Sequence, residues 1–250
     1  CRLCSVIEMA NLLVVTGNTA LKAAWSEGTV LGKTFRYQGE KMLDYLLSLM
    51  EKEKPEVLTI ASVCGVLEEE ERILEKYCSH LIILDRSHTS LLLKYNFPEY
   101  LPCDRAAGLV AARFLFNEKP CTVFDFGTTL TVDFLAADGR YMGGNISLGC
   151  CTRAKALERY SKNLPLVDIP ESLQMEGTSL KSSIESGIVL GIIFEIEGYI
   201  KSHKENIVVF TGGDAIYFAK RMKNSIFVVC NLELMGLAII TDDYVKKNIG

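Results

Sequence analysis

Asn11-Leu-Leu-Val-Val-Thr16-Gly17-Asn18-Thr19 and Thr122-Val-Phe-Asp125-Phe126-Gly127-Thr128-Thr129 are two versions of one phrase. In each, a short β-rich apolar run reaches a glycine followed by small polar residues, as a buried strand entering a tight turn does. The two glycines stand 127 − 17 = 110 residues apart. Downstream of the first, residues 40–51 carry helical spacing, with Met42, Leu43, Leu46, Leu47 and Met50 on one face. Residues 57–63 and 81–85 read as further strands, 67–77 as a charged helix and 104–116 as another helix. Around the second, 130–135 and 140–142 form a hairpin about Ala137-Asp138-Gly139. Helices over 150–162 and 181–203 follow, then a strand over 207–210 running into Thr211-Gly212-Gly213-Asp214, and a last helix near 232–246.

Strands alternating with helices predict an α/β protein with mixed sheets flanked by helices. The restart predicts an internal repeat: two similar halves, 9–117 and 118–250, facing each other across a cleft. Glycine corners at strand ends are places where phosphate oxygens meet backbone N–H groups. Two ordinary β-turns account for the same glycines, and the motif alone leaves both readings open.

Composition narrows the field. The chain has 250 residues, 49% hydrophobic and 23% charged, with no low-complexity tract, which excludes a disordered polypeptide. Its longest apolar stretch, 187–194, is far shorter than the roughly 20 residues a bilayer requires, so no membrane partner is expected. A net charge of −4 and the lack of a basic stripe with interleaved aromatics argue against nucleic acid. The four acids Glu68–Glu71 read as a solvated helix face. Nine cysteines, several inside apolar runs, read as buried thiols of a cytoplasmic protein rather than a disulfide framework. The Cys1–Cys4 pair lacks a second pair to complete a zinc site. Position 1 is not Met and Met9 immediately precedes the first strand, so residues 1–8 are expected to be an extension.

Five ordered motifs then resemble the type III pantothenate kinases. They are Asn18-Thr19-x-x-Lys22, Asp104-Arg105, Asp125-Phe-Gly-Thr128-x-Leu-Thr-x-Asp133, Gly143-Gly144-Asn-Ile-x-x-Gly149 and Thr211-Gly-Gly-Asp214. Ser186-Gly187 and the segment 191–199 add to the likeness, which runs from about Met9 to the end. The family belongs to the acetate and sugar kinase and actin superfamily. The resemblance therefore implies two ribonuclease-H-like (actin-like ATPase) halves with an ATP cleft between them. It implies phosphorylation of the primary hydroxyl of pantothenate to 4'-phosphopantothenate, the first step of coenzyme A synthesis, by a homodimer using ATP with Mg2+ and a monovalent cation, K+ or NH4+.

By position, the resemblance makes Asp104 the general base. Arg105, with Pro102, Cys103 and Tyr95, would hold pantothenate, whose carboxylate suits a guanidinium fork. Thr16, Gly17, Asn18, Thr19 and Lys22 would form the first phosphate loop, and Thr128 a second phosphate contact. Gly212 and Gly213 would lie near the adenosine, and Asp125 would be the monovalent-cation ligand. Read without the family, Asp104-Arg105 is also an ordinary helix-start acid with a neighbouring charge. Asp125 is different, since a carboxylate between Phe124 and Phe126 in an apolar strand is costly unless it binds something.

Four positions depart from the family pattern. The repeat partner of Asp125 is Val15, where the family carries an Asp tied to Mg2+ and the ATP phosphates. Valine has no side-chain oxygen to offer a cation. Leu148 replaces a Pro, Pro102 a Gly, and Leu180 a substrate-contacting Thr, with Thr178 and Ser179 adjacent. These departures keep two other readings open: a catalytically inactive relative that binds nucleotide or a partner, and a kinase of the same superfamily with another small substrate.

Overall fold

A computed structural model describes residues 10–17 and 20–249. The expected Cys1–Cys4 pair, the extension over residues 1–8, Asn18 and Thr19 lie outside the described residues. These fall into two units. One runs to Phe114 and takes in the chain again from Leu232; the other is Leu115–Asn231.

The first unit begins with a meander, β1 (Asn11–Thr16), β2 (Leu21–Glu27) and β3 (Val30–Tyr37). After α1 (Met42–Met50) come β4 (Val57–Ser62), α2 (Glu68–Leu74), β5 (His80–Leu84), a 3-10 turn (Ser90–Tyr95) and α3 (Cys103–Leu115). The sheet order is β3-β2-β1-β4-β5, with β1 antiparallel to β2 and parallel to β4. Leu12, Val14, Leu58 and Ile60 on one face bury Leu46, Leu49 and Met50 of α1; Leu46 and Met50 belong to the stripe seen in the sequence, Leu49 does not, and Met42, Leu43 and Leu47 pack partly buried against the same cluster. The four acids Glu68–Glu71 occupy the first turn of α2, where they complement the helix dipole, and Glu70 Oε2 accepts from Leu67 N at 3.0 Å.

The second unit repeats the pattern with β6 (Cys121–Phe126), β7 (Thr129–Leu135), β8 (Tyr141–Leu148), α4 (Cys150–Tyr160), α5 (Leu180–Ser202), β9 (Ile207–Gly212), α6 (Ala215–Ala219) and β10 (Ile226–Val228). Its order is β10-β9-β6-β7-β8, with β6 antiparallel to β7 and parallel to β9. Read from β8, that is the order of the first sheet from β3, so the repeat extends to topology. Phe124 and Phe126 face one side and stack with Phe210 and Phe218 over the isoleucines of α5. Asp125, between them, points to the other.

The structure differs from the sequence expectations in three places. Strands β2 and β3 were not evident, because β2 is alanine-rich and β3 is an exposed edge without clean alternation; pairing with β1 decides them. The Gly143–Gly149 motif lies mostly on a strand, since β8 extends to Leu148. The last helix, α7 (Leu232–Asn248), was expected to close the second half, but it packs on β1, β2, β3 and β4 of the first sheet. It fits there because Gly236 and the small residues of α3 permit close approach, and Thr59 Oγ1 and Thr241 Oγ1 are 2.7 Å apart in a buried hydrogen bond.

Candidate active site

Many of the residues singled out in the sequence lie at the carboxyl ends of β1, β6 and β9 or in the first turn of α3. In open α/β sheets such strand ends are where ligands bind. Each unit is described by itself.

At the end of β1, directly after Thr16, Gly17 N donates to Ala20 O at 3.0 Å. Thr16 O accepts from Val63 N at 3.2 Å and ties this corner to the end of β4. Lys22, on β2, stands opposite Val15 in the ladder and forms an ion pair with Glu233 Oε2 of α7 at 2.7 Å.

The corner that carries Asp104 and Arg105 is built at the start of α3 in the same unit. Pro102 O accepts from Ala106 N, opening the helix. Cys103 is buried against Ser62 O, and burial pushes its thiol up to about 12, so it is a packing residue and no nucleophile at neutral pH. Asp104 follows in the first turn, its Oδ1 accepting from Arg105 N at 2.8 Å. Burial raises the Asp104 carboxyl above the ordinary Asp range. The Arg105 N–H bond opposes this and the negative charge of Glu233 adds to it. Asp104 and Arg105 are thus neighbours, and the charge of Glu233, which pairs with Lys22, acts on the same carboxylate.

Tyr95 lies elsewhere in its interactions. Its hydroxyl donates to Asp243 Oδ2 of α7 at 3.2 Å, Asp243 also pairs with Lys94, and Arg113 donates to Tyr95 O. Asp85, at the end of β5, was missed in the sequence. It accepts from Ser87 N, His88 N and His88 Nδ1 at 2.8–2.9 Å; burial alone would raise its carboxyl, but those donors hold it below the ordinary range. Glu233 was missed as well, since 233 − 22 = 211 residues separate it from Lys22 and nothing local marks it.

In the second unit, Gly127 N donates to Thr129 O at 3.0 Å, and Thr128 O accepts from both Gly149 N and Thr152 Oγ1. The backbone of Thr128 is therefore fixed from two sides while its side chain stays exposed. Asp125 is half-buried, flanked in register by the buried Thr131 and Thr211. Gly212 reaches φ +90°, and a Cβ there would lie 2.4 Å from Asp125 Oδ1 and 2.6 Å from Phe126 N. Only glycine fits both the conformation and the space. Gly213 follows, exposed, and Asp214 N reaches Phe126 O at 3.4 Å. Gly212→Ala is expected to cost about 1–3 kcal/mol in stability through overpacking and strain, read as a lowered melting temperature.

For a divalent ion, no group of three or more His, Cys, Asp or Glu gathers among the described residues. Mg2+ carried with a nucleotide needs only one or two protein carboxylates beside phosphate and water. No described helix is long and apolar enough to cross a membrane.

Residues 11–202 match the family model for type III pantothenate kinase. The chain is 33% identical over 230 residues to a type III pantothenate kinase of Azobacteroides pseudotrichonymphae, covering 90% of this chain and 94% of that one. It is 36% identical over 233 residues to one of Bacteroides fragilis, covering 91% and 95%. Among solved structures, it is similar in fold to the activator of 2-hydroxyisocaproyl-CoA dehydratase from Clostridium difficile with bound ADPNP. That match has a TM-score of 0.58 at 16% identity over 96% of each chain. With two sheets of one topology, a family model matched over most of the chain and relatives of this identity, the chain belongs to the type III pantothenate kinase family.

Proposed function

We propose that this chain transfers the γ-phosphoryl group of ATP to the primary hydroxyl of pantothenate, with Asp104 as general base. The observation that carries this is Asp104 itself: a carboxylate in the first turn of α3, made more basic by burial and by Glu233, with Arg105 beside it. A general base gains from a raised pKa as long as it remains ionised at the working pH. Asp104 accepts the hydroxyl proton while that oxygen bonds to the γ-phosphorus. The bond to the bridging oxygen breaks and ADP leaves with its electron pair. Arg105 holds the pantothenate carboxylate through its guanidinium fork. Lys22 and Thr128 contact the phosphates, with Thr16, Gly17, Asn18 and Thr19 forming the first phosphate loop. Gly212 and Gly213 leave room near the nucleoside. Mg2+ bound with ATP neutralises charge on the phosphates. Asp125, between two threonine hydroxyls in register, offers the oxygen-rich setting that K+ or NH4+ requires. The family resemblance supports a cytoplasmic homodimer.

The test is a coupled ADP-release assay with ATP, Mg2+ and K+, with and without pantothenate. Release that depends on pantothenate is the expected result. A folded protein that binds ATP without turnover would instead mark an inactive relative, and turnover with a different hydroxylated acid would mark another substrate. The same assay yields a pH dependence. Arg105 and Glu233 are among the charged groups acting on Asp104, and Cys103 beside it stays neutral. Because the Asp104 pKa is raised, protonation removes the base at a higher pH than for an ordinary Asp. The acid limb of kcat/KM therefore lies above 3.8. A limb at or below that value would count against Asp104.

A further inference from the structure

Val15 and Asp125 are equivalent by the repeat, 125 − 15 = 110 residues apart on the central strands of their sheets. The second corner has its carboxylate on the strand, and the first does not. Val15 is paired directly with Lys22 across the antiparallel β1–β2 ladder, so both side chains rise from one face of the sheet. That face is the one α7 covers, as the Thr59–Thr241 hydrogen bond shows: Thr59 pairs with Leu13, two residues before Val15. An acid at Val15 would be the natural cross-strand partner of Lys22. The partner that Lys22 has instead arrives from α7, with Glu233 Oε2 2.7 Å from the ammonium.

Glu233 is an unusual residue for its place. It is only 9% exposed and sits in the apolar run Leu232-Glu-Leu-Met-Gly-Leu237. Glutamate is almost never buried to that extent unless paired. Stability does not account for it, since a buried ion pair is commonly no better than an apolar pair of the same shape. What the pair does is fix the direction of the ammonium, which carries three donors, at the corner where the chain turns through Gly17. Its negative charge is also felt at Asp104.

We infer that Glu233 replaces, from α7, the carboxylate missing at Val15, and serves as a positioning residue that orients Lys22 for the ATP phosphates. This rests on the roles of Lys22 and Asp104 proposed above. It also explains how the chain tolerates valine on a strand where its own repeat carries an acid: the charge has moved from the strand to the helix lying over it.

Four full-length forms test it: wild type, Glu233→Gln, Val15→Asp and the double variant. Glu233→Gln is expected to raise the ATP KM and lower kcat/KM by about 10–100-fold, the usual effect of losing an outer-shell orienting partner. The acid limb of the pH profile should also move down, because a like charge beside Asp104 is gone. Adding Val15→Asp to Glu233→Gln is expected to return the ATP KM to within about threefold of wild type, the coupling signature of two groups serving one partner. Val15→Asp alone is expected to bring no gain, since Lys22 already has its carboxylate. Calorimetric titration with Mg-ATP, without pantothenate, should give the same order of affinities with no turnover.

An unchanged ATP affinity and acid limb in Glu233→Gln would overturn the inference. So would a loss that Val15→Asp fails to restore, because that pattern belongs to helix packing alone. Should the wild type lack pantothenate-dependent turnover, the assignment of Asp104 falls, while the calorimetric series still decides the Lys22–Glu233 relation.

Discussion

Asp104→Asn is expected to lower kcat for pantothenate phosphorylation by about 10²–10⁴-fold, the range associated with loss of a positioned general base. Asparagine matches the carboxylate in shape and can still accept from Arg105 N, whose bond to Asp104 Oδ1 is 2.8 Å. The loss should therefore appear in kcat, with little change in the KM for ATP. Stability should move the other way. The folded state raises the Asp104 pKa, so this group contributes stability below its unfolded pKa, and that contribution is lost as pH rises through the folded value. At neutral pH the ionised carboxylate is a burden on the fold, and a neutral amide relieves it. An equal or higher melting temperature together with a collapsed kcat is the expected pair of results. Undiminished turnover would remove Asp104 as the base.

Gly236→Ala is the second large effect. A Cβ at Gly236 would lie 1.7 Å from Ala107 O and 2.4 Å from Ala107 C, both backbone atoms of α3. No rotamer change relieves such a clash, so the two helices must separate. Overpacking typically costs 1–3 kcal/mol and occasionally more; a rigid backbone contact belongs at the upper end, about 3 kcal/mol. For a chain of this size that corresponds to a fall of roughly 6–12 °C in melting temperature. Activity should fall too, because α3 carries Asp104 and α7 carries Glu233. Gly198→Ala is the control. Gly198 is exposed on α5 with nothing within 4 Å of a Cβ, so the same change there should stabilise by about 0.5–1 kcal/mol through helix propensity. Equal melting temperatures for the two variants would refute the packing assigned to Gly236.

The reading of Val15 shows how far motifs reach. By the resemblance, valine stands where the family carries an acid, and the sequence offers no compensating acid nearby. The ladder sets Lys22 opposite Val15, and the helix that returns over it brings Glu233 to Lys22 from 211 residues away. Tyr95 illustrates the converse. The resemblance makes it a substrate-contacting tyrosine, whereas in the structure its hydroxyl donates to Asp243 of α7.

Much of this protein was legible in the chain itself. β1, β4, β6 and β9 are short apolar runs ending at turns or glycine corners, and burial on both faces makes such runs readable without their neighbours. The amphipathic stripe of α1, the second hairpin, the 110-residue repeat and the Asp104, Asp125 and Thr128 motifs are likewise local patterns. Tertiary structure decided what depends on partners distant in sequence. Strands β2 and β3 form because β1 offers an antiparallel edge, not because their own residues alternate. Helix α7 packs on the first sheet because Gly236 and the alanines of α3 let two backbones approach closely. Glu233 meets Lys22 only once that helix is in place. Hydrophobic periodicity and turn chemistry act over a few residues and are written in the sequence; the meeting of side chains two hundred residues apart is a property of the packed fold.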